Sequence, residues 1–195
     1  MKKTFFAFAL MLTVFQVSHA QEEGKFRVGL EAGYTMPSGG GGVLLAIEPK
    51  YNIADNMNIG IRFESAAMAK NVTVGPTSAE ASLTASMSYS GTFDYYFNSG
   101  TSSFAPFFGA GAGYSSLGSI GFDITDTEEI EGDADLEVDG KFGGLLRAGF
   151  EAGKFRLAAT YNLIGKTELA EGLEVKNSYL GISLGFYLGG GKWKK

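Results

Sequence analysis

The chain has 195 residues, with 16 Lys and Arg against 21 Asp and Glu for a formal net charge of −5, and it contains no cysteine. The acidic balance argues against a nucleic-acid partner, which needs a basic face. The lack of cysteine excludes disulfides and thiolate metal sites.

Residues 1–20 read as a secretory signal peptide. Lys2 and Lys3 form a positive start, Phe5 to Val17 is mostly apolar, and Val17-Ser18-His19-Ala20 ends on a small residue before Gln21. The apolar run is short for a spanning helix, which needs about 20 residues. Residues 21–195 are then one domain's worth of sequence, and losing Lys2 and Lys3 takes the formal charge from −5 to −7. That part has no run of some 18 consecutive apolar residues, so no helix in it is expected to cross a bilayer.

From there eight segments alternate with period two, the strand period. Strand one, 24–34, places Phe26, Val28, Leu30, Ala32 and Tyr34 on one face and Arg27 and Glu31 on the other. A flexible link through Pro37 and four glycines leads to strand two, 43–51, with Val43, Leu45, Ile47, Pro49 and Tyr51 opposite Glu48 and Lys50. After the polar turn 52–56, strand three sets Ile59, Ile61, Phe63, Ser65 and Ala67 against Arg62 and Glu64 and ends near Met68. A loop at 69–80 is expected next. Strand four, 81–95, carries Thr84, Ser86, Ser88, Ser90, Thr92 and Asp94 on its inner parity. Strand five runs 104–114 and strand six 142–150, the latter with Arg147 and Glu151 inside. Gly153-Lys154 turns into strand seven, 155–163, with Arg156 inside. A charged loop at 165–177 precedes strand eight, where Leu180, Ile182, Leu184, Phe186 and Leu188 face out.

Such ten-residue dyad segments are the signature of a transmembrane β-barrel, greasy outside and polar within. The expected fold is all-β: an eight-stranded antiparallel up-and-down transmembrane barrel. Closure has a physical cause, because hydrocarbon offers no hydrogen-bond partners to a bare sheet edge. Aromatics sit where interfacial girdles belong. Phe26, Tyr51, Tyr95, Phe104, Phe150, Phe155 and Phe186 fall at the turn end, and Tyr34, Tyr114, Phe142 and Tyr161 at the loop end. Pro49 and Pro106 count against the pattern, since each forfeits a ladder bond.

With the signal peptide, the glycine-rich stretch 105–114 and the last strand Tyr179-Leu180-Gly181-Ile182-Ser183-Leu184-Gly185-Phe186 in view, the chain resembles the eight-stranded outer-membrane β-barrel proteins. This is the group that includes OmpX-type and OmpA-type barrels, and the resemblance covers 21–195. It implies residence in the outer membrane, outer-membrane lipid as surroundings, and recognition of the last strand by the barrel assembly machinery. By resemblance, Tyr179, Gly181, Leu184 and Phe186 carry that assembly signal. The sequence departs from the family in continuing through glycines to Lys192-Trp193-Lys194-Lys195 instead of stopping at an aromatic.

Three groups of residues bear on function. The first is a lumen charge network of Arg27, Lys50, Arg62, Arg147 and Arg156 with Glu31, Glu48, Glu64, Asp94 and Glu151. Buried charge is tolerable only when paired, and an eight-stranded interior is about filled by its own side chains. A salt-bridged plug is therefore expected, against a narrow gate that opens when pairs exchange. The second is an acidic hairpin at 115–140: Asp123, Asp126, Glu128, Glu129, Glu131, Asp133, Asp135, Glu137 and Asp139, with no Lys or Arg among them. Strand parity continues into it from both sides, so it reads as a protruding β-hairpin that binds a partner by strand addition or simply keeps its edge soluble. Asp135-x-Glu137-x-Asp139-Gly140 begins like an EF-hand loop, but its twelfth position is Leu146 and the segment reads as strand, so no specific metal site is assigned and only loose divalent binding by the clustered carboxylates stays open. The third is a negative: the only histidine, His19, leaves with the signal peptide, so neither a Ser-His nor a Cys-His nucleophile is available.

The sequence thus points to a structural or surface-interaction barrel that is not an enzyme and needs no cofactor. An unidentified extracellular partner would meet the hairpin. The other reading is a small porin or narrow cation-preferring channel, lined by the hydroxyl face of strand four and mouthed by acids. A soluble lipocalin-like barrel would need an apolar interior and is excluded by the inward charges.

Overall fold

A computed structural model describes residues 23–37, 40–74, 78–98, 102–122, 137–165, 167–170, 173–175 and 177–190. The proposed signal peptide lies outside these residues, as does the Lys192–Lys195 tail.

Eight strands close into one antiparallel barrel: β1 (Phe26–Pro37), β2 (Gly40–Ala54), β3 (Met57–Val74), β4 (Ser78–Tyr96), β5 (Phe104–Phe122), β6 (Glu137–Ala152), β7 (Phe155–Ile164) and β10 (Tyr179–Gly189). A small separate hairpin, β8 (Thr167–Ala170) and β9 (Leu173–Val175), sits between β7 and β10. Each barrel strand pairs with its neighbours in sequence order, and β1 pairs with β10 from Arg27↔Gly189 to Pro37↔Tyr179 to close the circle. The up-and-down topology follows from the alternation, which gives every strand one apolar face and leaves no strand suited to an edge.

The faces are those that the parity dictates. Leu45, Ile61 and Ile182 project outward and are exposed, whereas Leu44 and Arg62, one residue along the chain, are buried. The turn-end girdle is built from neighbouring rings: Phe104 and Phe150 lie 4.9 Å apart and Phe155 and Phe186 5.5 Å apart, centroid to centroid. At the loop end Tyr89 and Tyr114 pair at 5.8 Å.

Strand ends differ from the sequence reading. The supposed flexible link after Tyr34 is mostly ladder, with Thr35 pairing Gly42 and Gly40 pairing Lys70. The expected loop at 69–80 is also mostly strand, with β3 and β4 paired up to Val74↔Ser78. The charged loop at 165–177 contains the β8–β9 hairpin. In the first two cases the barrel ladder carries on past the point where side-chain alternation stops marking it, and in the third a separate two-stranded sheet forms. The turns are tight. Asp55-Asn56 joins β2 to β3, and Gly153-Lys154 joins Ala152 to its partner Phe155, with Gly153 at φ 65° as a two-residue hairpin requires. Pro49 leaves its mark, because the β2–β3 ladder passes from Ile47↔Phe63 to Lys50↔Gly60 without pairing Glu48 or Pro49.

A bilayer-crossing strand needs about 9–11 residues. β7 and β10, with 10 and 11, meet that length, whereas β3, β4, β5 and β6 have 18, 19, 19 and 16. All the excess lies at the loop end, where these four strands stay paired: Ala81↔Phe122 joins β4 to β5, and Ser119↔Glu137 joins β5 to β6. One side of the barrel therefore rises as a four-stranded wall.

Candidate functional site

The ten inward charges come from six strands: Arg27 and Glu31 from β1, Glu48 and Lys50 from β2, Arg62 and Glu64 from β3, Asp94 from β4, Arg147 and Glu151 from β6, and Arg156 from β7. None is more than 5% exposed. These ten lie toward the tight-turn ends of their strands, apart from the charges that the same parity carries near the loop ends of β3 and β6, such as Lys70 and Lys141.

They form one connected set. Arg27 grips Glu151 with both terminal nitrogens, at 2.9 and 3.1 Å. Arg156 joins Glu151 to Asp94, at 3.1 Å to each, and reaches Glu31 at 3.4 Å. Arg147 donates to Asp94 at 2.7 Å and takes Glu48 in a two-pronged grip at 2.7 and 3.0 Å. Lys50 lies between Asp94 and Glu48. Arg62 completes the network on Glu64 at 2.7 Å and on Glu31 at 3.0 Å. Forked arginine–carboxylate pairs fix geometry as well as charge. The five bases match the five acids, so the buried set is neutral in total and each charge has a partner that offsets part of its desolvation.

Neutral side chains finish the site, and of these the sequence reading named Thr92, on the inner hydroxyl face of strand four, but not Tyr96, Phe107 or Tyr187. The Tyr96 hydroxyl accepts from Arg27 at 2.6 Å and donates to Glu151 at 2.6 Å. Arg156 donates to the Tyr187 hydroxyl at 2.9 Å. The Arg27 guanidinium lies 4.0 Å from the Tyr187 ring centroid and that of Arg156 3.7 Å from Phe107, so aromatic faces cover what carboxylates do not. Thr92 donates to Glu48 at 2.6 Å, and Ser183 to Glu31 at 2.8 Å. The available signal was parity alone: Tyr96, Phe107 and Tyr187 sit on the same inward positions as the charges.

Room for these long side chains comes from inward glycines. A Cβ at Gly109 would land on the Asp94 carboxylate, one at Gly60 would lie 2.8 Å from Lys50 Cγ, and one at Gly185 2.7 Å from Glu31 Cγ.

The other predicted residues are placed as follows. Tyr179 points inward, with its hydroxyl donating to Glu64, and Gly181 lies beneath Leu44. Leu184 and Phe186 face outward and are exposed. Of the acidic hairpin, Asp123, Asp126, Glu128, Glu129, Glu131, Asp133 and Asp135 lie outside the described residues. Glu137 and Asp139 belong to β6, where Asp139 pairs with Leu117 of β5, so this part of the EF-hand-like stretch is strand. Among the described residues no group of three or more His, Cys, Asp or Glu is placed to hold a metal ion.

What the lumen can do follows from this geometry. Ion pairs at these distances, flanked by tyrosines, hold the inward charges on one another.

Comparison with known proteins places the architecture. No protein-family model and no curated protein matches the sequence. Among solved structures, Neisserial surface protein A (NspA) aligns with a TM-score of 0.53 at 17% identity, over 84% of this chain and 96% of that one. The N-terminal β-barrel domain of Pseudomonas aeruginosa OprF gives 0.45 at 13% identity, over 85% and 100%. The Pseudomonas aeruginosa outer membrane protein OprG gives 0.45 at 15%, over 89% and 100%. At such identities the likeness concerns the fold alone: the chain is a closed eight-stranded antiparallel β-barrel, the fold in which it aligns with NspA.

Proposed function

We propose that the chain is an integral outer-membrane barrel with a structural and surface-interaction role. Its lumen is closed by its own charges, and it presents the acidic hairpin at 115–140 on the outer side. The observation that carries this reading is the single connected, charge-balanced network filling the turn-end half of the lumen. The outward belt of Leu45, Ile61, Phe63, Leu184 and similar residues is what a bilayer solvates and water does not, which supports membrane residence. The likeness in fold to the Neisserial surface protein NspA supports a place at the cell surface. The four-stranded wall of β3–β6 supports the outer role, since it carries the hairpin well beyond the hydrocarbon. Tyr179, Gly181, Leu184 and Phe186 remain the residues proposed for the assembly machinery, with Leu184 and Phe186 facing outward on the last strand and Tyr179 also donating to Glu64.

Planar-bilayer conductance of residues 21–195 refolded into lipid tests the proposal. A fully inserted but silent barrel is expected. Stable, ion-selective steps would overturn it and favour the small cation-preferring porin.

A further inference from the structure

The loop-end half of the lumen is built differently from the turn-end half. Leu44 of β2, Ala66 and Met68 of β3, Leu117 of β5, Ile164 of β7 and Tyr179 of β10 pack into one apolar cluster. Their exposures run from 1% for Met68 to 7% for Ile164. These strands stand on different sides of the barrel, so the cluster crosses the lumen. Leu44 reaches over β1 toward β10, where a Cβ at Gly181 would meet its Cδ2 at 2.7 Å. Buried Thr35 from β1, Thr84 and Ser86 from β4, and Leu145 from β6 complete the circuit. Toward the turns lies the charge network, met by this layer where the Tyr179 hydroxyl donates to Glu64. Toward the loops the inner parity becomes polar again at Lys141.

We propose that this layer is a hydrophobic seal, and that it, not the ion pairs, closes the lumen to solvent from the outer end. The inference rests on the closed-barrel reading and deepens it by naming the layer that does the closing. The physical ground is dewetting: where the bulk of a constriction's lining is hydrocarbon, with only the hydroxyls of Thr35, Thr84 and Ser86 among it, water is excluded at a width where a charged lining would still hold it. A lumen closed by ion pairs alone opens when a pair is broken. A lumen closed by the apolar layer stays shut when a pair is broken and opens when the layer is thinned or made polar.

The chain has no cysteine, so a single one reports cleanly. Ser90 is inward, pairs with Arg62 at the level of the charges, and lies on the turn side of the cluster's β4 neighbours Thr84 and Ser86. Ser90→Cys would be labelled with a charged maleimide in lipid nanodiscs, in three backgrounds: parental, Met68→Ser with Leu117→Ser, and Glu48→Gln. Slow labelling is expected in the parental and Glu48→Gln barrels, with at least about a tenfold increase in the seal variant, since local opening governs access. Parental labelling as fast as in urea, a Glu48→Gln rate matching the seal variant, or a folded seal variant as slow as the parent would each overturn the proposal. Should the double variant fail to fold, Leu117→Ala alone gives the same reading: faster labelling supports the seal, and the parental rate overturns it. A parent silent in bilayers with an unresponsive seal removes the seal alone. Conductance by the parent removes the closed-barrel reading itself.

Discussion

At the scale of single residues the lumen is a problem in desolvation. Each charge was moved out of water, and its partners recover the cost only while all remain in place. Glu48 meets three bases and a hydroxyl, held by Arg147 and bonded by Thr92, with Lys50 and Arg62 each at 3.6 Å. Glu48→Gln leaves the buried set one positive charge in excess, so it should cost about 3–5 kcal/mol. The measurement is the urea midpoint of the barrel in vesicles, followed by far-UV circular dichroism, and an unchanged midpoint would mean that the network does not bear on stability. Tyr96→Phe removes only the hydroxyl that links Arg27 to Glu151, and the same titration should show a smaller loss, about 1–3 kcal/mol. Gly109→Ala attacks the network from the neighbouring strand, where Gly109 pairs with Asp94, because its methyl group would occupy the position of the Asp94 carboxylate. It should destabilise the barrel by at least about 1 kcal/mol, as overpacking does, although alanine is ordinarily a mild substitution for glycine.

At the scale of the strand, facing was legible and extent was not. Every inward charge was assigned from a period of two, because one residue of slip would expose the whole set to lipid. The pattern must therefore be strict wherever hydrocarbon lies outside. Beyond the bilayer that constraint lapses: Gly40-Gly41-Gly42 carries no side-chain alternation, and Ser78 to Ser82 is small or polar on both faces, yet both are in ladders. Partner choice was equally invisible, since Arg27 pairs with Glu151, 124 positions away, and only closure of the barrel brings β1 near β6 and β7. The facing itself is testable. Leu45→Arg, Ile61→Arg and Ile182→Arg should each cost about 2–4 kcal/mol if these positions meet lipid at mid-depth. Vesicle unfolding reads the loss, and tolerance at all three would mean that the outward face meets water.

At the scale of the whole molecule, the two ends of the barrel do different jobs. The turn end is short-linked and holds the charges, and closure by β1 and β10 over eleven paired positions ties the first strand to the last. The loop end is uneven, low at β7 and β1 and high at β3–β6, so whatever stands on the wall projects from one side only. Residues 123–135 lie beyond Phe122, the end of β5, and before Glu137, the start of β6, so no described pair in the barrel depends on them. Their removal should leave the unfolding midpoint within about 0.5 kcal/mol of the parent, since a shorter link alters only the loop-closure entropy. It should at the same time abolish binding of the barrel to cells or matrix, measured with the parent as reference. The two readouts separate cause from collateral damage. Lost binding with a shifted midpoint would implicate the fold, and lost binding at an unshifted midpoint assigns the interaction to the acidic hairpin. Retained binding would move it to the other outer links, of which the stretch around the β8–β9 hairpin, with Glu168 and Glu174 paired across it, is the one that carries charge and its own structure.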